Sequence, residues 1–217
     1  MNKLLRIIIM PRKKLPIPLI LLIPLCLLAV VIVAGIYRFS LSDEEILAKF
    51  PSQQNVQADP VVEAILGLKV PNPWTIQVPE TSAFTLLTDI DADKQVAAGS
   101  YDDGMERGNV YLLYRYQQSI YDDKALSAVV IPFAVSNQGS GVFYYLGLFK
   151  WDSARQRVIL SDAKFAGDRI EISALTRADD RMTLSFKKHG QAQSMSEAPE
   201  ENDTLVCVAK AFKWVDC

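Results

Sequence analysis

The sequence of 217 residues contains a single histidine, His189, and only three cysteines. Hydrolytic triads and most zinc sites need a histidine that is held by defined partners. His189 lies in the segment KKHG at a predicted strand end, and no spacing indicates a partner for it. The sequence therefore predicts no catalytic residue, no metal ligand and no cofactor, and we interpret His189 as a solvent-facing turn residue.

Acidic residues are missing from residues 1–37, which hold five basic groups, and charge of either sign is missing from residues 15–37. The remaining residues carry 18 basic and 25 acidic side chains, a net charge of −7. A domain with this acidic excess has no electrostatic attraction to phosphate backbones, so nucleic-acid binding is disfavoured. The chain divides into a basic tail, an uncharged segment and an acidic domain.

The uncharged segment runs from Leu15 to Tyr37 and reads LPIPLILLIPLCLLAVVIVAGIY. As a helix it would span about 34 Å, enough to cross a hydrocarbon core of about 30 Å. We therefore predict a single transmembrane helix over residues 15–37. Basic residues precede it, whereas acidic residues follow within a few positions. The positive-inside rule then predicts a cytoplasmic tail over residues 1–14 and an exported domain.

Two processing alternatives stay open beside the uncleaved helix. A signal peptide has an apolar region of only about 7 to 15 residues before a small-x-small site. The run here is longer, and Val33-Ala34-Gly35 is a poor cleavage site. Lipid modification of Cys26 would need a small preceding residue, but Leu25 is bulky and Cys26 lies in the middle of the span.

Residues 38–80 are predicted to form a juxtamembrane spacer or packed-on arm without candidate chemistry. A capping box at Ser42 to Glu45 favours a short helix through Phe50. A polar linker follows, and Pro60 favours a second short helix over Val61 to Leu68. Prolines then favour extended chain up to residue 80.

From Phe84 onward, short apolar runs with period two are separated by turn residues, which is typical of β-strands. We predict a mainly β exported domain over residues 81–217, an antiparallel sheet or sandwich-like domain of about eight short strands. The predicted strands are Phe84 to Thr88, Asn109 to Gln117, Ser127 to Val135, Val142 to Lys150, Gln156 to Lys164, Arg169 to Thr176, Met182 to Lys188 and Thr204 to Phe212.

The connections between residues 142 and 188 are short, and short loops join antiparallel neighbours. We therefore predict a four-strand meander in this stretch. Gln191 to Asp203 is polar and rich in serine and glutamate, which predicts a mobile loop before the last strand.

Three segments follow one another in a distinctive order: SNQGSGVFYYL from Ser136, GDRI from Gly167, and a polar loop that contains Ser196 to Pro199. In this order they look like a recurrent module of uncharacterised exported bacterial proteins, over residues 125–212. The resemblance implies a β-rich extracytoplasmic domain in a bacterial envelope. With the predicted helix, it implies an inner-membrane protein with a periplasmic domain. It implies no catalytic residues.

Asp89, Asp91 and Asp93 place carboxylates at alternate positions, as calcium loops do. With the segments GSY and GNVY that follow, the stretch is similar to one repeat of an FG-GAP-type propeller. It departs from that pattern because Lys94 replaces the usual glycine, Ala97 replaces the closing acid, and no second copy follows. We prefer a solvated acidic turn, with a calcium site as the alternative.

Three pairs of aspartates begin at Asp102, Asp122 and Asp179. All lie between predicted strands, where aspartate favours turns for backbone reasons, so a glycosidase-type acid pair is the weaker interpretation. The segment from Gly139 to Gly141 precedes a strand rather than a helix. It therefore indicates a hairpin and not a phosphate cradle.

Aromatic residues are dense in two predicted strands. Alternation places Tyr114 and Tyr116 on one face of their strand, and Phe143, Tyr145 and Phe149 on one face of theirs. We predict that most of the set is core, whereas an exposed tyrosine-rich face would suit protein or glycan binding. The full set is Tyr111, Tyr114, Tyr116, Phe143, Tyr144, Tyr145 and Phe149.

Cys207 and Cys217 are the two cysteines outside the predicted span, and an oxidising compartment would allow them to pair. A straight strand would separate them by about 33 Å, whereas a disulfide needs Cα atoms within about 7 Å. A bond therefore requires the chain to turn back after Phe212. An internal disulfide, two free thiols and a disulfide-linked dimer all stay open.

The leading hypothesis is a membrane-anchored, non-enzymatic envelope protein whose exported β domain binds another envelope protein. The alternative is a binding module for a small ligand, a glycan or calcium, and an enzyme comes third. An exposed apolar patch would favour the first, and a deep pocket with convergent polar groups the second.

Overall fold

The computed structural model describes residues 19–40 and 58–217, with side chains in the first range limited to residues 21–37. The chain divides into two compact units, residues 1–55 and residues 56–217. Residues 58–80 therefore belong to the same unit as the β-strands that follow them.

Helix α1 spans Leu19–Ser40 and contains Pro24. Its described side chains are mostly exposed. In the part of the chain that the structure describes, no helix reaches the length and apolarity of a membrane span. The transmembrane helix over residues 15–37 stays a prediction. Its first four residues, the tail over 1–14 and the helix predicted after Ser42 lie outside the described residues.

Helix α2 spans Pro60–Leu66, close to the predicted second short helix. The Asp59 side chain caps it by accepting a hydrogen bond from the Val62 backbone N–H at 2.8 Å. Gly67 ends it in the left-handed conformation with φ of 67°, which explains why the helix stops before the predicted Leu68.

The described residues after α2 form thirteen strands and one 3-10 turn at Tyr114–Tyr116. The strands are β1 Thr75–Gln77, β2 Phe84–Leu86, β3 Asp89–Asp91, β4 Val96–Asp102, β5 Arg107–Leu112, β6 Gln118–Asp122, β7 Ala125–Ser136, β8 Val142–Asp152, β9 Arg157–Asp168, β10 Glu171–Ala178, β11 Arg181–Lys188, β12 Glu201–Lys210 and β13 Lys213–Val215.

The strands form antiparallel sheets of two, four and seven strands, which confirms the prediction of a mainly β, antiparallel fold. The small sheet is β1-β2, and the four-stranded sheet has the order β10-β11-β12-β13. The seven-stranded sheet has the order β3-β4-β5-β7-β8-β9, and β6 also pairs with β7. The predicted count of about eight strands is too low because five strands were not predicted. They are β1, β3, β4, β6 and β13.

The predicted four-strand meander over residues 142–188 is wrong. Strands β8 and β9 belong to the seven-stranded sheet, whereas β10 and β11 belong to the four-stranded one. The chain crosses between them at Arg169, whose φ is 51° and whose N–H donates to the Val142 carbonyl at 2.8 Å. A short loop can therefore join two packed sheets as readily as two neighbouring strands.

The two faces of the seven-stranded sheet pack against different partners. Phe133, Tyr145 and Phe149 belong to a first core that also contains α2 and the residues around Trp74, which is fully buried. Residues 58–80 are thus a packed-on arm rather than a spacer. Val130 and Leu148, on the opposite face, pack in a second core with side chains of the four-stranded sheet.

Gly99 in the middle of β4 allows the two-stranded sheet to approach, since a Cβ there would collide with the Leu86 backbone carbonyl. The predicted shared face is confirmed for Phe143, Tyr145 and Phe149, which all pack in or against the first core. It is wrong for Tyr114 and Tyr116, because β5 ends at Leu112 and the two tyrosines lie in the 3-10 turn.

The chain reverses at Ala211 and Phe212, whose φ values are 50° and 60°, and β13 pairs back onto β12. This reversal brings the Cα atoms of Cys207 and Cys217 to 4.3 Å, and their sulfurs form a disulfide. Strand β12, which corresponds to the predicted last strand, begins at Glu201, three residues before the predicted Thr204. Of the three outcomes left open for these cysteines, the structure has the internal disulfide.

Candidate binding groove

One row of residues crosses five strands of the seven-stranded sheet on a single face. The antiparallel register aligns Asp89 with Ala98, Ala98 with Tyr111, Tyr111 with Ala134, and Ala134 with Tyr144. Neighbouring strands lie about 4.8 Å apart, so the row is about 19 Å long. Small and large side chains alternate along it.

This alternation produces a groove with an alanine floor and tyrosine walls. Tyr111 is 37% exposed, whereas Ala134 beside it is only 3% exposed. The groove has a volume of about 550 Å³. Its lining is mainly apolar, and the polar side chains lie at the β3 end or are tyrosines. The lining residues are Asp89, Ile90, Asp91, Lys94, Val96, Ala98, Tyr111, Leu113, Ala134, Val142 and Tyr144.

Within the described residues, the four-stranded sheet packs against one side of this face, the covered half, and the groove lies on the other side, the open half. Leu113 and Tyr144 line the groove and also pack against the second core, so they mark the boundary. Tyr116 fixes the two sheets together there, because its hydroxyl donates to the Ile172 carbonyl at 2.7 Å. Burial raises the pKa of Tyr144.

The β3 end of the groove is acidic, but one of its carboxylates is already paired. Asp91 accepts from Lys94 twice, from the side-chain Nζ at 2.9 Å and from the backbone N–H at 3.0 Å. These hydrogen bonds lower the pKa of Asp91. Asp89 accepts from the Thr88 hydroxyl at 3.2 Å and forms no ion pair within the described residues.

The three aspartates considered for calcium do not converge on one point. Asp89 and Asp91 lie in β3, whereas Asp93 lies in the turn that leads to β4. Over residues 58–217 and the described part of α1, no group of three or more acidic, histidine or cysteine side chains could hold a metal ion. Lys94 already forms an ion pair with Asp91 and would compete with a cation for that carboxylate.

His189 lies at the end of β11 and does not line the groove. Its Nε2 is 2.9 Å from the Glu197 carbonyl, so the ring bonds to the loop before β12. The residue is half-buried rather than solvent-facing, and its Nδ1 has no hydrogen-bond partner within the described residues.

The paired aspartates serve turns, as the sequence predicted. Asp103 accepts from the backbone N–H groups of Met105 and Glu106 at 3.0 and 2.7 Å. Asp123 and Asp179 have φ of 46° and 57° in the turns after β6 and β10. Residues 137–141 join β7 to β8, so the glycine pair belongs to a hairpin.

Sequence reasoning singled out Tyr111 and Tyr144 as aromatic residues but did not place them together. Ala98 and Ala134, which form the floor, carried no signal at all. Only the pairing register brings these four residues from four different strands into one row. A one-residue slip in any pair would move a side chain to the opposite face.

Comparison with known proteins gives no relative: no family model matches the chain, and no curated protein or solved structure is detectably similar to it. The resemblance to exported bacterial modules therefore stays a prediction. The function has to be argued from the geometry of the groove.

Proposed function

We propose that the protein is a membrane-anchored, non-enzymatic envelope protein whose exported β domain binds another envelope protein through this groove. The supporting observation is that, within the described residues, the four-stranded sheet packs against the covered half of one sheet face, whereas the groove lies in the open half. Burial of apolar surface contributes a favourable free energy of about 25 cal/mol per Å² removed from water. A partner that covers the open half would gain this free energy, as the four-stranded sheet does on the covered half.

The arrangement of polar groups favours a protein partner over an enzyme substrate. Specific small-molecule sites place several polar groups around one point deep in a pocket. Here the charged groups, Asp89, Asp91 and Lys94, lie together at one end of an open apolar groove. The lining contains neither histidine nor cysteine nor serine. An exposed apolar patch with a polar rim is typical of protein interaction sites.

In-cell photocrosslinking tests this proposal. A photoreactive phenylalanine analogue at Tyr111 of the full-length protein is expected to yield one discrete crosslinked partner in intact cells. The same analogue at Thr204, on the exposed face of the four-stranded sheet, is the matched control. Adding Ala98→Trp, which fills the groove, is expected to abolish the adduct at Tyr111. An adduct of equal yield at Thr204, or none at Tyr111, would refute the proposal.

Membrane anchoring and orientation belong to the same proposal. The basic flank before α1 and the acidic excess after it support a cytoplasmic N-terminus. A reporter that is active only after export, fused behind Cys217, is expected to be active, and a cytoplasm-dependent reporter is expected to be silent. The opposite pattern would overturn both the orientation and the envelope localisation.

A small apolar ligand is a second candidate, which the groove volume favours. About 550 Å³ lies within the range of about 300 to 1,000 Å³ that is common for ligand pockets. Native mass spectrometry of the purified full-length protein distinguishes the two. A co-purifying small molecule that Ala98→Trp removes would favour this candidate, whereas an unliganded mass together with the crosslink at Tyr111 favours the protein partner.

A further inference from the structure

We propose that the groove binds a polyproline II segment of the partner, with an apolar side chain at every third residue and a basic residue at the β3 end. This inference rests on the proposed function and specifies its partner. Four groove residues carry it: Ala98, Tyr111, Ala134 and Tyr144, with Asp89 at the end of their row.

The row contains two notches at a defined spacing. One notch lies over Ala98, between Asp89 and Tyr111, and the second lies over Ala134, between Tyr111 and Tyr144. The two alanines belong to β4 and β7, which are separated by β5 alone. Two strand spacings place the notches about 9.6 Å apart.

The distance between the two notches is close to the repeat of a polyproline II helix. A polyproline II helix rises about 3.1 Å per residue, so residues i and i+3 lie on one side about 9.3 Å apart. A β-strand repeats on one side at about 6.8 and 13.6 Å, and neither value matches the notches. Residues i and i+7 of an α-helix are about 10.5 Å apart.

An α-helix does not fit because the Tyr111 side chain lies between the two notches. A helix with i and i+7 in the notches would also present residues i+3 and i+4 to the same face. Tyr111 stands there as the wall between the notches, so these side chains would collide with it. A polyproline II segment has no side chain on that side between i and i+3. Its shape follows the alternation of alanine and tyrosine.

The tyrosine walls of the groove suit the chemistry of a polyproline II segment. Polyproline II segments leave their backbone carbonyls without internal hydrogen bonds and dock into grooves lined by aromatic side chains. The hydroxyls of Tyr111 and Tyr144 supply donors, and their rings supply flat apolar surface for proline. Because the segment is already extended before binding, little conformational entropy is lost.

Asp89 determines at which end of the groove the segment carries its basic residue. Asp89 lies at the β3 end of the row and forms no ion pair within the described residues, whereas Lys94 already pairs with Asp91 at 2.9 Å. A lysine or arginine that precedes or follows the apolar repeat can therefore pair with Asp89. Exposed ion pairs contribute a few-fold in affinity, so the groove contacts carry most of the binding.

Peptide binding to the full-length protein in detergent micelles tests the inference. The probe is a fluorescent ten-residue polyproline peptide with leucine at two positions three residues apart and arginine at one end. A control peptide keeps the leucines and the arginine but has glycine in place of every proline, so that it is a flexible coil rather than a polyproline II helix. We expect saturable binding of the probe and at least tenfold weaker binding of the control. Equal binding of both peptides would overturn the inference.

Protein variants locate the peptide in the groove. Ala98→Trp is expected to weaken binding of the probe at least tenfold, and Thr204→Trp, outside the groove, is expected to leave it unchanged. Asp89→Asn is expected to weaken it about three-fold through loss of an exposed ion pair, whereas Asp122→Asn is expected to have no effect. A loss of binding in Thr204→Trp that matches the loss in Ala98→Trp would contradict a groove site.

The outcomes separate this inference from the function on which it rests. A crosslinked partner at Tyr111 together with no saturable binding of the probe would refute the polyproline II segment and leave the proposed function intact. Absence of the crosslink and of probe binding would refute both. Tighter binding of an amphipathic helical peptide of equal length and charge would assign the groove to a helix instead.

Discussion

The covered and the open half of one sheet face differ in the side chains that they carry. Under the four-stranded sheet, the large sheet presents aliphatic residues such as Val130 and Leu148, which are fully buried. In the open half it presents Tyr111 and Tyr144, each beside an alanine. Tyrosine has an apolar ring and a hydroxyl that water can satisfy. The four-stranded sheet covers this face on one half, whereas the described residues leave the other half open.

The largest expected difference between the halves is in the free energy of unfolding. Leu148→Ala, in the covered half, is expected to cost about 2 to 5 kcal/mol, because it leaves a cavity between two sheets. Tyr111→Ala, in the open half, is expected to cost about 1 kcal/mol or less, since little packing is lost. Chemical denaturation of the full-length protein in detergent compares the two. Equal losses would mean that the open half is part of the core.

The disulfide is expected to stabilise the covered half specifically. Cys207 is fully buried in the second core, and its bond to Cys217 closes the β12-β13 hairpin. Cys217→Ser is expected to cost about 2 to 4 kcal/mol, the range for short disulfide loops. It is expected to leave probe binding to the groove unchanged.

Mass spectrometry after alkylation without reductant checks the bond itself. In the unfolded protein we expect a label on Cys26, which is a free thiol, and on neither of the other two cysteines. Labels on both Cys207 and Cys217 would contradict the bond, and a reducible dimer would replace it by an intermolecular one.

A matched pair of insertions sharpens the comparison. Val130→Trp, in the covered half, is expected to cost about 1 to 3 kcal/mol because it overpacks a core without space. Val96→Trp, in the groove lining, is expected to stay within about 0.5 kcal/mol because the ring can occupy open space. Thermal unfolding of both variants measures the difference. A large loss for Val96→Trp would mean that the groove is closed in solution.

The smallest expected effect is on acid stability at the rim of the groove. Hydrogen bonds from Lys94 lower the pKa of Asp91 below its ordinary value of 3.8. The stability that this pair contributes is present above that ordinary value and is lost as the pH falls through the lowered pKa. Asp91→Asn is expected to flatten the acid limb of the pH-stability curve slightly. Lys94→Met is expected to have the same effect, and the double variant no further one; additive effects would contradict the pairing.

The mainly β fold was predictable because it depends on local patterns. Strands β7 to β11 are long enough for their apolar runs or their alternation of apolar and polar residues to reveal them, although their ends are displaced by a few residues. Pro60 predicted α2, and aspartates predicted the turns. Strand β4 escaped detection because its sequence VAAGSYD contains small residues and a glycine.

The partners of the strands were not predictable from the same patterns. The loop at Arg169 is as short as a hairpin loop, yet it moves the chain to another sheet. The reversal at Ala211 and Phe212 has neither glycine nor proline. It is held instead by hydrogen bonds to residues that are remote in sequence. The Ser161 hydroxyl donates to the Phe212 carbonyl at 2.7 Å, and the Asp162 carboxylate accepts from the Trp214 backbone N–H at 2.8 Å.

The sequence by itself determined which residues share a face in the longer strands, because alternation follows from the geometry of a single extended chain. It also determined the division into a basic tail, an apolar segment and an acidic domain. Only the tertiary structure decided which half of the large sheet the four-stranded sheet covers, and which cysteines meet. Pairing across long stretches of chain depends on the sum of many contacts and not on any one segment. The row of Ala98, Tyr111, Ala134 and Tyr144 exists only because three such pairings hold their register at once.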